Sequence, residues 1–81
     1  MRELVEFLCK SVVDHPDQVR VTLVEAETAV IIEIRVASED TGRVIGRQGR
    51  IIAAIRTLAR AAVTHGGKRV VVEVVEGERP A

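Results

Sequence analysis

The chain has 81 residues, 47% apolar and 30% charged, with a formal net charge of zero. That describes one domain with one core, and no run approaches the ~20 apolar residues that a membrane span needs. The lone Cys9 excludes an intramolecular disulfide, no Cys/His spacing suits a metal, and the opening Met1 to Glu6 lacks a signal-peptide core, so a cytoplasmic protein without metal or cofactor is expected.

The first predicted element is a helix over residues 2–13. Leu4, Val5, Leu8 and Val12 fall on one stripe at 3.6-residue spacing, and Glu3, Glu6 and Lys10 lie off it. Pro16 ends it by disfavouring helical geometry at His15. Residues 19–24 alternate, with Val19, Val21 and Leu23 facing inward as a half-buried strand. A polar turn at 25–28 leads to a second strand over 30–36, whose Val30, Ile32, Ile34 and Val36 point inward and whose Glu33 and Arg35 point outward. The two strands read as a hairpin, although no Asn-Gly or Asp-Gly fixes its turn type.

Ser38 is the expected N-cap of a short helix ending near Ile45, with Glu39 and Asp40 favouring its dipole. A glycine turn breaks it. The longest helix then runs from Arg50 to about His65, with Ile51, Ile52, Ile55, Leu58, Ala59, Ala62 and Val63 on a broad apolar stripe. Gly66-Gly67 is its expected stop. A third strand covers 69–75, within a single domain of core 2–76 and a frayed tail at 77–81. The order is α-β-β-α-α-β. Two helices between strands two and three allow a parallel pair through a right-handed crossover. The expected fold is α+β: a three-stranded mixed sheet, strand two central, with three helices on one face.

Zero net charge hides a polarised chain. Arg43, Arg47, Arg50, Arg56, Arg60, Lys68 and Arg69 fall between positions 41 and 69, where there is no Asp or Glu. All twelve acids lie outside that segment. Local sign decides partner choice more than the sum does, and this segment suits a polyanion.

At its centre stands Gly42-Arg43-Val44-Ile45-Gly46-Arg47-Gln48-Gly49-Arg50. Gly46 and Gly49 permit a tight turn and close approach of another surface. If Arg50 opens a helix, its first N–H groups face the turn and favour an anion there. A P-loop would need Gly-Lys-Ser/Thr, and a dinucleotide fingerprint would need glycine at position 44 after a strand; neither is met.

The stretch Ile45-Gly46-Arg47-Gln48-Gly49-Arg50-Ile51-Ile52 resembles the Ile-Gly-x-x-Gly-x-x-Ile signature of the KH domain. The element order resembles the type II arrangement, and the wording is most similar to the small bacterial stand-alone KH proteins of the KhpA type. The resemblance covers about residues 2–76. It implies a GXXG loop that clamps about four nucleotides of single-stranded nucleic acid. Gly46 and Gly49 would allow close backbone approach, and Arg47 and Gln48 would contact phosphate or sugar. Arg43 and Arg50 would be further phosphate contacts. Val44, Ile45 and the start of the long helix would form one apolar wall; strand 30–36 and the 25–29 loop would form the other. Lys68 and Arg69 would serve a different contact.

The only aromatic residue is Phe7, so the stacking platform of RRM, OB and cold-shock modules is excluded, whereas a KH groove uses aliphatic walls. Phe7 and Cys9 are expected to serve packing, His15 to be solvated, and His65 to complement a helix C-terminus. No triad, Cys/His pair or carboxylate pair is visible, so no enzyme and no small-molecule substrate are expected. The resemblance implies a homodimer, or a heterodimer with a Jag-type (KhpB) KH protein, acting in post-transcriptional regulation or RNA chaperoning with effects on cell shape and division. The alternative is a protein-interaction scaffold or ribosome/RNP assembly factor in which the loop does not bind RNA.

Overall fold

Alternation along the middle strand decides the layering. In a computed structural model, which describes residues 2–62 and 67–76, β2 (Ala29–Val36) buries Val30, Ile32, Ile34 and Val36 on one face, while Ile31, Glu33 and Arg35 on the other stay half-exposed. β1 (Arg20–Glu25) pairs antiparallel with one edge of β2, and β3 (Arg69–Glu76) pairs parallel with the other. The mixed sheet has the order β1-β2-β3, as the crossover argument expects. The hairpin turn closes through Ala26 N–H donating to Ala29 O at 2.8 Å.

The helices α1 (Arg2–Val12), α2 (Thr41–Ile45) and α3 (Arg50–Ala62) pack on the buried face. α3 contributes Ile55 and Ala59 to the core, and α2 contributes Val44. The expected continuation to His65, Val63 on its stripe, Gly66 in its stop, and the tail at 77–81 lie outside the described residues.

Three details differ from the sequence expectations. The buried stripe of α1 centres on Val5 and Cys9, with Leu8 and Val12 beside them; Leu4 lies at its margin, 44% exposed, and Phe7 is 66% exposed rather than packed. β1 starts at Arg20, and Leu23 is only partly covered because β1 is an edge strand. Ser38 caps nothing: residues Ser38–Asp40 form a single 3-10 turn, without a side-chain cap, ahead of α2.

Asp40 takes a different role from the dipole partner expected of it. It is fully buried, and its carboxylate accepts from Asp14 N–H at 3.1 Å and His15 N–H at 2.9 Å. It thereby ties the chain leaving α1 to the start of α2, satisfying two backbone donors just before Pro16. Burial alone would raise its pKa. The two backbone donors, with the His15 and Arg43 charges, outweigh burial and hold the carboxyl below the ordinary aspartate value.

A depressed carboxylate contributes stability above its unfolded-state pKa and loses it as pH falls through the folded one. Asp40→Asn is therefore expected to lower Tm at pH 7 by roughly 5–10 °C. Its Tm should also vary less than the wild type's between pH 5 and 3, which thermal melts followed by circular dichroism would check. Cys9, buried and near Glu6, has its thiol pKa pushed up to about 11. Its reaction with Ellman's reagent at pH 8 should be about 100-fold slower in the native protein than in denaturant.

Candidate nucleic-acid interface

α2 stops because Gly46 leaves helical space. Gly46 N–H donates to Gly42 O at 2.8 Å, and its φ of 81° and ψ of 167° belong to a region essentially restricted to glycine. A Cβ at Gly46 would sit 2.7 Å from Ile51 Cγ1 and 2.9 Å from the Ile51 backbone nitrogen. The bare backbone at Gly46 is thus filled from within, by the start of α3. Gly49 also has a positive φ, 72°, but a Cβ there would meet only Ile52 Cγ2 at 4.0 Å. Of the two glycines, Gly49 is the one with open space beside it. Between them Gln48 is held in left-handed geometry, φ 58° and ψ 26°, at a cost of roughly 1 kcal/mol.

The loop tip carries Arg47 and Gln48, both exposed. Arg50 reaches back to donate from Nη2 to Gln48 Oε1 at 3.4 Å. The Arg50 backbone N–H, expected to face an anion, instead donates to Arg47 O and closes the turn. Ile45 is 38% exposed, and Ile51 and Ile52 are half-buried, so these three form the apolar surface beside the loop. Val44 does not join them. It is fully buried and supports that surface from beneath.

Arg43 is also placed differently from the loop residues. Its guanidinium lies 3.0 Å from Asp14 and 3.5 Å from Asp40 and so braces the junction behind the loop. Sequence reasoning placed Asp40 only at a helix start and missed its part in this junction. Its only signal was an acid three positions before Arg43, a spacing that places both on one helical flank.

Ion pairing sorts the cations. Arg2, Lys10, Arg35, Arg43 and Lys68 each have an acidic partner. Among the described residues, Arg20, Arg47, Arg50, Arg56, Arg60 and Arg69 have none; four of these six lie on the loop and α3. Lys68 pairs with Glu25 at 2.9 Å, which, with Arg69 N–H donating to Thr28 O at 3.0 Å, fastens the start of β3 to the hairpin.

The second wall expected from strand 30–36 and the 25–29 loop would have to be built from side chains. β2 is paired along both edges, so it has no free main-chain edge to offer. The hairpin turn lies at the start of β2 and α2 follows its end, which puts about 23 Å of strand between them. β3 is the edge strand, and α2 and α3 both pack against it. Its outer edge carries no strand partner. Among the described residues no group of side chains could hold a metal ion, and no helix is long and apolar enough to cross a membrane.

Comparison with known proteins bears on the chain as a whole. A family model described as KhpA/KhpB, KH domain, matches residues 2–74. A protein of Clostridium acetobutylicum named RNA-binding protein KhpA is 52% identical over 75 residues, 93% of this chain and 100% of the relative. Relatives of the same name in Aquifex aeolicus and Borreliella burgdorferi are 47% and 45% identical, over 94% and 91% of this chain and 96% and 90% of their own lengths.

The two glycines should respond differently to the same substitution. Gly46→Ala is expected to destabilise the fold by about 3 kcal/mol or more, because strain and overlap with α3 add. Gly49→Ala should cost about 1 kcal/mol, and Gln48→Gly should be near neutral, since relief of left-handed strain offsets added chain entropy. Urea denaturation of the three variants checks the ranking.

Proposed function

The chain belongs to the KhpA/KhpB KH-domain family, and on that premise we propose that it is a non-catalytic RNA-binding protein whose loop at residues 46–49 clamps a short single-stranded segment. The observation that carries this reading is the exposed glycine turn with unpaired Arg47 at its tip and an acid-free helix behind it. Relatives named as RNA-binding proteins, matched over nearly their full lengths, support it.

Arg47 and Gln48 contact phosphate or sugar, and Gly49 lets the strand come close to the backbone. Arg50 supplies a further phosphate contact and orients Gln48. Ile45 with the first turn of α3 forms one side of the groove, and the free edge of β3 forms the other. Gly46, Val44 and Arg43 hold this arrangement from within; Arg43 reaches RNA only by exchanging its carboxylate partners for phosphate.

One clamp of about four nucleotides is a small interface, so useful affinity calls for a second site through avidity. A homodimer or a heterodimer with a KhpB-type protein supplies it, and the exposed Leu4 and Phe7 on α1 offer apolar surface for such a contact. Work in the cytoplasm, in post-transcriptional regulation or RNA chaperoning and through it in cell shape and division, fits this assignment. The same exposed α1 surface favours the alternative, a scaffold whose loop is dispensable.

Fluorescence anisotropy of short single-stranded RNAs at two salt concentrations separates these readings. Wild-type binding should weaken steeply with salt, because phosphate contacts release counterions. The Arg47→Asp, Gln48→Asp variant should lose binding with its circular dichroism unchanged, since Asp tolerates the left-handed geometry at position 48. Equal binding by both proteins would reject the loop.

A further inference from the structure

The loop accounts for only part of the unpaired positive charge. α3 carries Arg50, Arg56 and Arg60 and not one acid over its thirteen residues. At 100° per residue, Arg56 and Arg60 share a flank with Ala53, Thr57 and Arg50, away from the buried Ile55 and Ala59. Ala53, Thr57, Arg50 and Arg60 are exposed and Arg56 is half-buried. The Thr57 hydroxyl donates to Ala53 O at 3.0 Å and so lies folded against the helix. The stripe is therefore low between its arginines, and a backbone can approach it closely.

In the free protein this arrangement is electrostatically unfavourable. Arg56 and Arg60 are like charges at i,i+4 with no acid to offset them. Arg50 places a positive charge at the positive end of the helix dipole. Elsewhere among the described residues most cations are paired, Arg20 and Arg69 being exceptions, as with Lys10–Glu6 in α1, which uses the same i,i+4 spacing. An acid at 53 or 57 would have relieved the stripe at no cost to the core.

We propose that this flank of α3 is a second phosphate track, continuous with the loop, along which a single-stranded RNA longer than the four-nucleotide clamp runs. From Arg50 to Arg60 it extends about 15 Å. The proposal rests on RNA binding by this chain but not on the details of the clamp. RNA is favoured over a protein partner because the stripe has no large apolar or aromatic anchor of the kind that centres a protein interface. Positive charge over small residues matches a polar, phosphate-directed one.

The test pairs an oligouridine tetranucleotide with a dodecanucleotide, using wild type, the loop variant and Arg56→Gln, Arg60→Gln. Amide shifts in a 15N–1H spectrum follow the tetranucleotide, report the fold of each variant, and should move at residues 46–49 in both wild type and the stripe variant. Anisotropy follows the dodecanucleotide. Its affinity should fall roughly tenfold in the stripe variant, with the salt slope reduced by about 1.4 for two lost phosphate contacts. Unchanged dodecanucleotide affinity and slope would overturn the track and assign the stripe to an acidic protein surface. A tetranucleotide that leaves 46–49 unmoved, with dodecanucleotide binding still dependent on Arg56 and Arg60, would remove the clamp and keep the track. Absence of any RNA binding by the wild type would remove both.

Discussion

The contact between Gly46 and the first turn of α3 is the constraint on which the interface depends. α2 and α3 can meet at so tight a corner only because no Cβ stands where Ile51 comes within 3 Å. That corner puts Arg47 and Gln48 at an apex, with α2 below them and α3 behind. It also fixes Ile45 and Ile51 as neighbours at the surface while Val44 turns into the core. A residue with a side chain at 46 would have to open the corner, and loop, apolar surface and arginine flank would separate together.

A second fastening holds α2 in place against the rest of the fold. α2 is only five residues long, too short to be stable by its own hydrogen bonds. Val44 anchors it to the core, and Asp40 ties its start to the backbone leaving α1. Arg43 completes the junction by bridging Asp14 and Asp40. With Lys68 held by Glu25, the fold thus uses two of its seven clustered cations and three acids as structural parts. What remains unpaired on the loop and α3 is free to meet an external anion, and the polarity of the surface follows from this internal accounting of ion pairs.

Much of this was legible in the residues because periodic patterns report burial directly. Val30, Ile32, Ile34 and Val36 at period two could only face one layer, and the order of elements then left one plausible sheet. The Gly-x-x-Gly wording with its flanking isoleucines located the loop. Less legible were properties set by neighbours distant in sequence. Leu4 belongs to the apolar stripe of α1 by spacing alone, yet the helix is rolled so that Cys9 rather than Leu4 lies at the centre of the contact. Ser38 and Asp40 have the composition of a helix start, yet backbone donors 25 and 26 residues away claim the Asp40 carboxylate.

The sequence by itself determined the α-β-β-α-α-β order, the central place of β2, the position of the glycine turn and the segregation of positive charge. Each is a matter of local periodicity or composition, which the chain carries without knowing its neighbours. Only the tertiary structure decided which of the arginines are free, which of the two glycines faces open space, and that β3 rather than β2 presents an edge beside the loop. Those depend on which side chains and strands meet across the fold, and pairing between distant segments leaves no periodic trace in the chain that makes it.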